Sequence, residues 1–198
     1  MRIHLSCVLL LGAIVTTALM AQTATLAGQV PADSLGHIEV AVNYTAMRAN
    51  VITSDSFWMQ GGSVQVHGQF WRGLGVVADI AGQHTTNINS SGVALDMVTA
   101  TFGPRYTWSP AHSRYSLFGE GLVGDAFAFN GLFPTASGPD TGSFDLAVKG
   151  GGGINLWLSR HVALRALEAY WLRTQLPNTT TNVQNNLQLG AGVVIRVK

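Results

Sequence analysis

Charged side chains make up only 11% of the 198 residues, so those that recur within patterned segments carry much of the chemical information. Glu39, Asp79, Arg105, Glu120, Asp145, Lys149 and Arg165 form one such set, with acids and bases in similar number. Brought into one interior, they could serve as a selective pore or proton path. They could equally neutralise one another as a polar core, because a lone buried charge costs several kcal/mol unless it is paired and hydrogen-bonded. The core is the expected outcome. Glu168 is left unassigned, since it shares a face with Arg165 only if a bulge lies between them.

Other candidate chemistry is weaker. His4, His37, His67, His84, His112 and His161 are scattered, without the i, i+4 spacing or cysteine partners of a metal site. GEGLVG at 119–124 has the spacing of a dinucleotide loop, with Asp145 about twenty residues on. That loop must open a helix, yet DAFAFNGLFPTASGP follows, broken by glycine and proline. No G-x-S-x-G element places a nucleophilic serine. Asn89–Ser90–Ser91 and Asn178–Thr179–Thr180 match glycosylation sequons, but their composition already suits hydrated loop tips. No catalytic, cofactor-binding or metal-ligating set is expected, and the chain is not expected to be an enzyme.

The elements that must hold the charged set follow from composition. Hydrophobic residues reach 47% and glycines number 23, an unusual mixture for a water-soluble enzyme. MRIHLSCVLLLGAIVTTALMA has the basic start, apolar centre and small residues of a secretory leader, expected to be cut after Ala21. Cys7 would leave with it, so thiol chemistry is not expected in the mature chain. Loss of Arg2 leaves basic and acidic residues equal in number, which argues against binding nucleic acid. No later apolar run is long enough for a spanning helix, and for an exported hydrophobic chain the remaining spanning structure is a closed β-barrel.

Period-two patterning predicts eight strands near 36–47, 61–72, 74–84, 93–107, 114–126, 143–158, 161–174 and 185–197. In the first, Ile38, Val40, Val42 and Tyr44 oppose His37, Glu39, Asn43 and Thr45; in the second, Val64, Val66 and Phe70 oppose Ser63, Gln65, His67 and Gln69. Long connections alternate with short ones throughout: ANVITSDSFWMQ, HTTNINSSG, FNGLFPTASGPDTGS and QLPNTTTNVQNN against Arg72–Gly73, SPAHS and Ser159–Arg160. Such asymmetry is the mark of an outer-membrane barrel with long loops outside and short turns in the periplasm. Residues 22–35 then form a short periplasmic segment, and 36–198 the barrel.

Aromatics cluster near strand ends and predict two interfacial girdles. Trp71, Trp108, Tyr115 and Trp157 lie by the short turns; Phe57, Trp58, Phe127, Phe129, Phe144, Tyr170 and Trp171 lie towards the long loops. The four glycines at 150–153 fall inside the sixth strand, where they are expected to let a narrow barrel bend and to make room for Trp171 or Phe118.

GLGVVADIAGQ, FGPRYTW, RYSLFGEGLVG and QNNLQLGAGVVIRV together resemble the outer-membrane β-barrel domain family, akin to the OmpA transmembrane domain and its single-domain members. The likeness spans nearly all of the mature chain. It implies an all-β, eight-stranded, antiparallel up-and-down transmembrane barrel in a Gram-negative outer membrane. Asp79, Arg105 and Glu120 then match the family's inward polar residues. A structural or surface-interaction role through the four long loops is implied, without an open pore; a lipid-modifying enzyme or a porin-like small-solute channel on the same fold is the alternative. Expected partners are outer-membrane lipid and, during biogenesis, periplasmic chaperones and the barrel-assembly machinery. A monomer is expected, and the loops' external ligand is left open. The terminal IRVK departs from the aromatic end that such barrels usually present for assembly, and the cell-wall tether of longer relatives is not expected.

Overall fold

The computed structural model describes residues 36–50, 56–88, 92–110, 113–135, 138–177 and 182–197. The expected leader, the segment 22–35, both sequons and His112 lie outside these residues. The strands are β1 (Ile38–Ala49), β2 (Phe57–Trp71), β3 (Leu74–Thr85), β4 (Leu95–Trp108), β5 (Tyr115–Thr135), β6 (Gly138–Trp157), β7 (Val162–Thr174) and β8 (Gln184–Arg196). Each pairs antiparallel with the next, and β1 also pairs with β8, closing the barrel. No described residue is helical, so GEGLVG sits within β5 and opens no phosphate-binding helix.

Period-two alternation sets the two faces, because successive side chains in a strand point to opposite sides. Val42, Val64, Val76, Ile80, Phe102 and Val193 are all exposed on the outer surface. Their neighbours in sequence, Asn43, Gln65, Val77, Asp79, Thr101 and Val194, are buried inside. A soluble protein keeps its apolar side chains within; this one wears them outside around the whole ring.

The start of β1, the end of β8 and the short turns share one end of the barrel. At the tight turn Arg72 has φ 37° and Gly73 φ 88°, the double positive φ of a type I′ hairpin. A Cβ on Gly73 would stand 2.2 Å from the Thr107 carbonyl oxygen, so only glycine fits. The fifth connection differs from its expected form. Most of FNGLFPTASGPDTGS is strand, with β5 and β6 continuing as a two-stranded ribbon beyond the points where β4 and β7 stop pairing with them. A register shift between Phe129 and Phe133, with Asn130 at φ 61°, lets the ladder resume past a stretch whose glycines and prolines read as loop. Near the tip Pro134 stands opposite Pro139.

The aromatic girdles are partly as expected. Trp71, Trp108 and Tyr115 at the short-turn end, and Trp58, Phe129, Phe144 and Trp171 at the other, are exposed on the outer face. The Phe127 and Phe144 rings meet tilted by 45°, their centroids 4.7 Å apart. Phe57 and Tyr170 instead point inward and are buried, and Trp157 turns in to donate its indole N–H to Ser116 Oγ at 3.1 Å. Position near a strand end predicted an interface; parity decided the side.

Glycines 150–153 lie mid-strand in β6, and alternate members answer to different faces. A Cβ on Gly151 would come within 2.1 Å of the Ala169 carbonyl oxygen and 2.6 Å of the Tyr170 ring; one on Gly153 would meet the Leu167 oxygen at 2.4 Å and the Phe118 ring at 2.9 Å. The bulky neighbours needing room are thus Phe118, as expected, and Tyr170 rather than Trp171. A Cβ on Gly150 meets nothing within 4 Å. Gly150→Ala should therefore shift the urea midpoint of the vesicle-embedded protein by less than about 0.5 kcal/mol equivalent, whereas Gly151→Ala should cost about 1–3 kcal/mol, since no rotamer relieves a clash with backbone.

Candidate functional site in the barrel interior

The inward positions hold four ion pairs, stacked from the short-turn end upward. At that end Glu39 Oε1 accepts from Arg196 Nη2 at 2.8 Å, while His37 and His67 approach the same carboxylate at 3.3 and 3.4 Å. The Arg196 guanidinium lies 4.0 Å from the Trp157 ring centroid. Together these groups line the short-turn mouth, where His37 and Arg196 border a recess of about 380 Å³.

Gln65 is the hub of the middle layer. Its Oε1 accepts from Arg105 Nη2 at 2.6 Å and Arg165 Nη1 at 2.5 Å, and its Nε2 donates to the Tyr170 hydroxyl at 3.2 Å. Arg105 pairs with Glu120 at 2.5 Å and Arg165 with Glu168 at 3.0 Å. Arg165 also donates from Nε to Asn155 Oδ1 at 3.1 Å. Both guanidiniums lie over the Phe118 ring, at 4.3 and 4.6 Å from its centroid. The space left by Gly153 admits that ring, so the glycine run and the charge network are one construction.

Above this layer Lys149 Nζ donates to Asp79 Oδ2 at 2.8 Å and lies 4.2 Å from the Tyr170 ring. Each of the four carboxylates Glu39, Glu120, Glu168 and Asp79 thus has its own cation. Their charges cancel pair by pair, which is the condition for holding them out of water.

Of the sequence-predicted set, Glu39, Asp79, Arg105, Glu120, Lys149 and Arg165 are brought together inside. Asp145 is the exception. It is half-buried opposite Ala126, and its Oδ1 accepts from the Leu146 N–H at 2.7 Å rather than from a cation. Two members were missed. Glu168 joins because the β7–β8 register shifts between Arg165 and Glu168, supplying the bulge that parity required. Arg196 was legible in the alternation of β8, being flanked by outward Ile195 and Val197.

A feature that the sequence reading did not anticipate caps this network. Met47, Phe57, Met59, Leu95, Met97 and Leu172 point into the long-loop half of the lumen, joined by Phe133 from the ribbon and by Ile88 and Leu176 from the connections. All are buried. The lumen therefore has a charged, hydrogen-bonded floor and an apolar stopper. Flexible methionines suit such an irregular space.

On the outer face near the long-loop end, His84 Nδ1 contacts Asp96 Oδ1 at 2.6 Å, and Asn130 Nδ2 donates to Asp96 Oδ2 at 2.5 Å. The pair borders a recess of about 250 Å³. No three metal-ligating side chains converge among the described residues.

No family model matches the chain, and no curated protein does. Solved structures do. Neisserial surface protein A superposes with a TM-score of 0.62 at 14% identity, over 80% of this chain and 96% of that one. This chain has the fold of the small outer-membrane barrels. Ail, the attachment invasion locus protein of Yersinia pestis, solved with the heparin analogue sucrose octasulfate, matches with a TM-score of 0.52 at 16% identity, over 81% of this chain and 99% of that one. The expected likeness to small eight-stranded outer-membrane barrels is met at the level of fold, with almost none of it carried by residue identity.

Proposed function

We propose that this protein resides in the bacterial outer membrane as a structural or surface-interaction barrel, its long-loop end facing outward and its lumen closed. The observation that carries this reading is the inversion of the usual arrangement, with apolar side chains outside and neutralised charges within. Hydrocarbon is the solvent that rewards such an inversion. The name of Ail as an attachment and invasion protein lends weight to a surface role. Outer-membrane lipid is the constant partner in this reading, with periplasmic chaperones and the assembly machinery acting during biogenesis.

Closure makes the reading testable. An ion entering from the short-turn end meets the Glu39–Arg196 pair and then the Gln65 hub; from the other end it meets the Met47, Met59 and Phe133 stopper. Purified protein in planar bilayers should show no resolved single-channel steps in molar salt. Reproducible steps would replace this reading with the small-solute channel. Protection of the barrel from protease on intact cells, with fractionation into the outer membrane, tests the location independently.

One observation favours a second reading, a lipid-modifying enzyme. Asp96, which accepts from Asn130, contacts the exposed His84 ring at 2.6 Å on the outer surface, a carboxylate–imidazole pair of the kind used in general acid–base catalysis. Among the described residues no hydroxyl is hydrogen-bonded to that ring, so they supply the pair without the nucleophile of a triad. Incubation with lipid A followed by mass spectrometry of the lipid discriminates: a product abolished by His84→Gln would establish the enzyme.

A further inference from the structure

Outside the lumen, the charges of the long-loop rim are unevenly distributed. Arg48 on β1 and Arg173 on β7 are both exposed on the outer face, and neither has an ion-pair or hydrogen-bond partner among the described residues. On the other side of the ring β4, β5 and β6 carry Asp96, Asp125 and Asp140 instead. The interior cations Arg105, Lys149, Arg165 and Arg196 each have a carboxylate; among the described residues these two rim arginines have none.

Register brings them together. Arg48 stands between Trp58 on β2 and Leu187 on β8, and Leu187 is opposite Trp171 on β7. Arg173 is one pleat above Trp171, opposite Asn185, whose Oδ1 accepts the Trp171 indole N–H at 3.1 Å. Two strand spacings and one pleat separate the two Cα atoms by about 12 Å, a gap that two long arginine side chains readily bridge. Beneath them Val42, Leu164, Leu167 and Val193 continue the apolar surface towards the short-turn end. From Val162 to Arg173 the tilted strand rises about 27 Å, close to the ~25 Å apolar band of such barrels, so both guanidiniums fall at headgroup height.

We propose that the β7–β8–β1 arc is a binding site for a phosphate-bearing lipid of the outer leaflet, with Arg48 and Arg173 gripping the phosphorylated headgroup. Trp58, Leu187 and Trp171 support the apolar part just below it. A guanidinium presents a planar fork of donors that matches a phosphate bidentately. The indoles favour the boundary between headgroup and chain. A free phosphate would have no use for this apolar platform, so the occupant is the lipid. The inference rests on the membrane location and orientation proposed above.

The test uses the full mature chain in phosphatidylcholine nanodiscs doped with bisphosphorylated lipid A or with its phosphate-free counterpart, reading retained lipid by native mass spectrometry. Each arginine near an anionic headgroup is worth about fivefold in retention, so Arg48→Gln and Arg173→Gln should each lose about fivefold and the double variant about thirtyfold. The phosphate-free lipid should behave like the double variant, and millimolar inorganic phosphate should not compete. Equal retention of the two lipids by the wild type, or by wild type and a folded double variant, would overturn the site. Where the glutamines impair insertion, Arg48→Lys and Arg173→Lys keep the charge but lose the fork, and unchanged retention in both would overturn the bidentate grip. A wild-type chain that fails to enter bilayers would instead sink the membrane reading itself.

Discussion

Arg165→Met should lower the stability of the membrane-embedded barrel by about 3–5 kcal/mol, the cost of stranding a buried charge without its partner. The substitution removes the cation facing Glu168, one donor to the Gln65 hub, the bond to Asn155 and one of the guanidiniums over Phe118. Methionine approximates the volume of the arginine stem, so the loss is electrostatic rather than a cavity. The distinguishing measurement is the double variant. Arg165→Met with Glu168→Met leaves no charge stranded, and urea unfolding in vesicles followed by tryptophan fluorescence should recover most of the loss. Two additive, separately small losses would mean that this layer is open to water and that the lumen is not sealed.

Phe102→Arg tests the other face. Phe102 lies mid-strand on β4 and is 65% exposed, opposite Ala78 and Val123 in the outer ring. In hydrocarbon an arginine there should cost about 2–4 kcal/mol, falling to about 0–1 kcal/mol for the same substitution near an interface. Trp58→Arg, at the long-loop end, is the matched control. In water the depth dependence would vanish, because both substitutions replace an exposed aromatic by a hydrated cation. Refolding yield into vesicles, read as the fraction resistant to heat-induced mobility change, should fall for Phe102→Arg and stay near wild type for Trp58→Arg. An unaffected Phe102→Arg protein would remove the argument for lipid on that face.

Strand positions and the two faces of each strand were legible because alternation decides them locally; the up-and-down order, and which face turns outward, came from the rhythm of long and short connections. Val64 and Gln65 differ in polarity, and that alone assigns them to opposite faces. What escaped the sequence was non-local or broke the period. Glu168 needed a bulge whose position depends on how β7 and β8 register, and one residue of slip inverts every assignment beyond it. Asp145 had the right parity but lies towards the long-loop end, and Lys149, the buried cation on its own strand, is already taken by Asp79. The apolar stopper went unread although Met47, Met59 and Met97 share inward parity with Thr45, Ser63 and Thr99. An apolar residue in a lumen position draws no notice unless parity is followed to the strand end. Composition misled at the β5–β6 ribbon, where glycine and proline read as loop but Asn130 turned the chain and pairing resumed.

Ring closure leaves no strand of the cylinder with an unsatisfied flank, yet the protruding ribbon has two, and an extended segment from another molecule could zip onto either. Pro134 and Pro139 face each other at that height, and neither supplies an amide donor. Each flank thereby lacks an amide donor at that height, which weakens the protruding hairpin as a template for stacking between neighbouring copies.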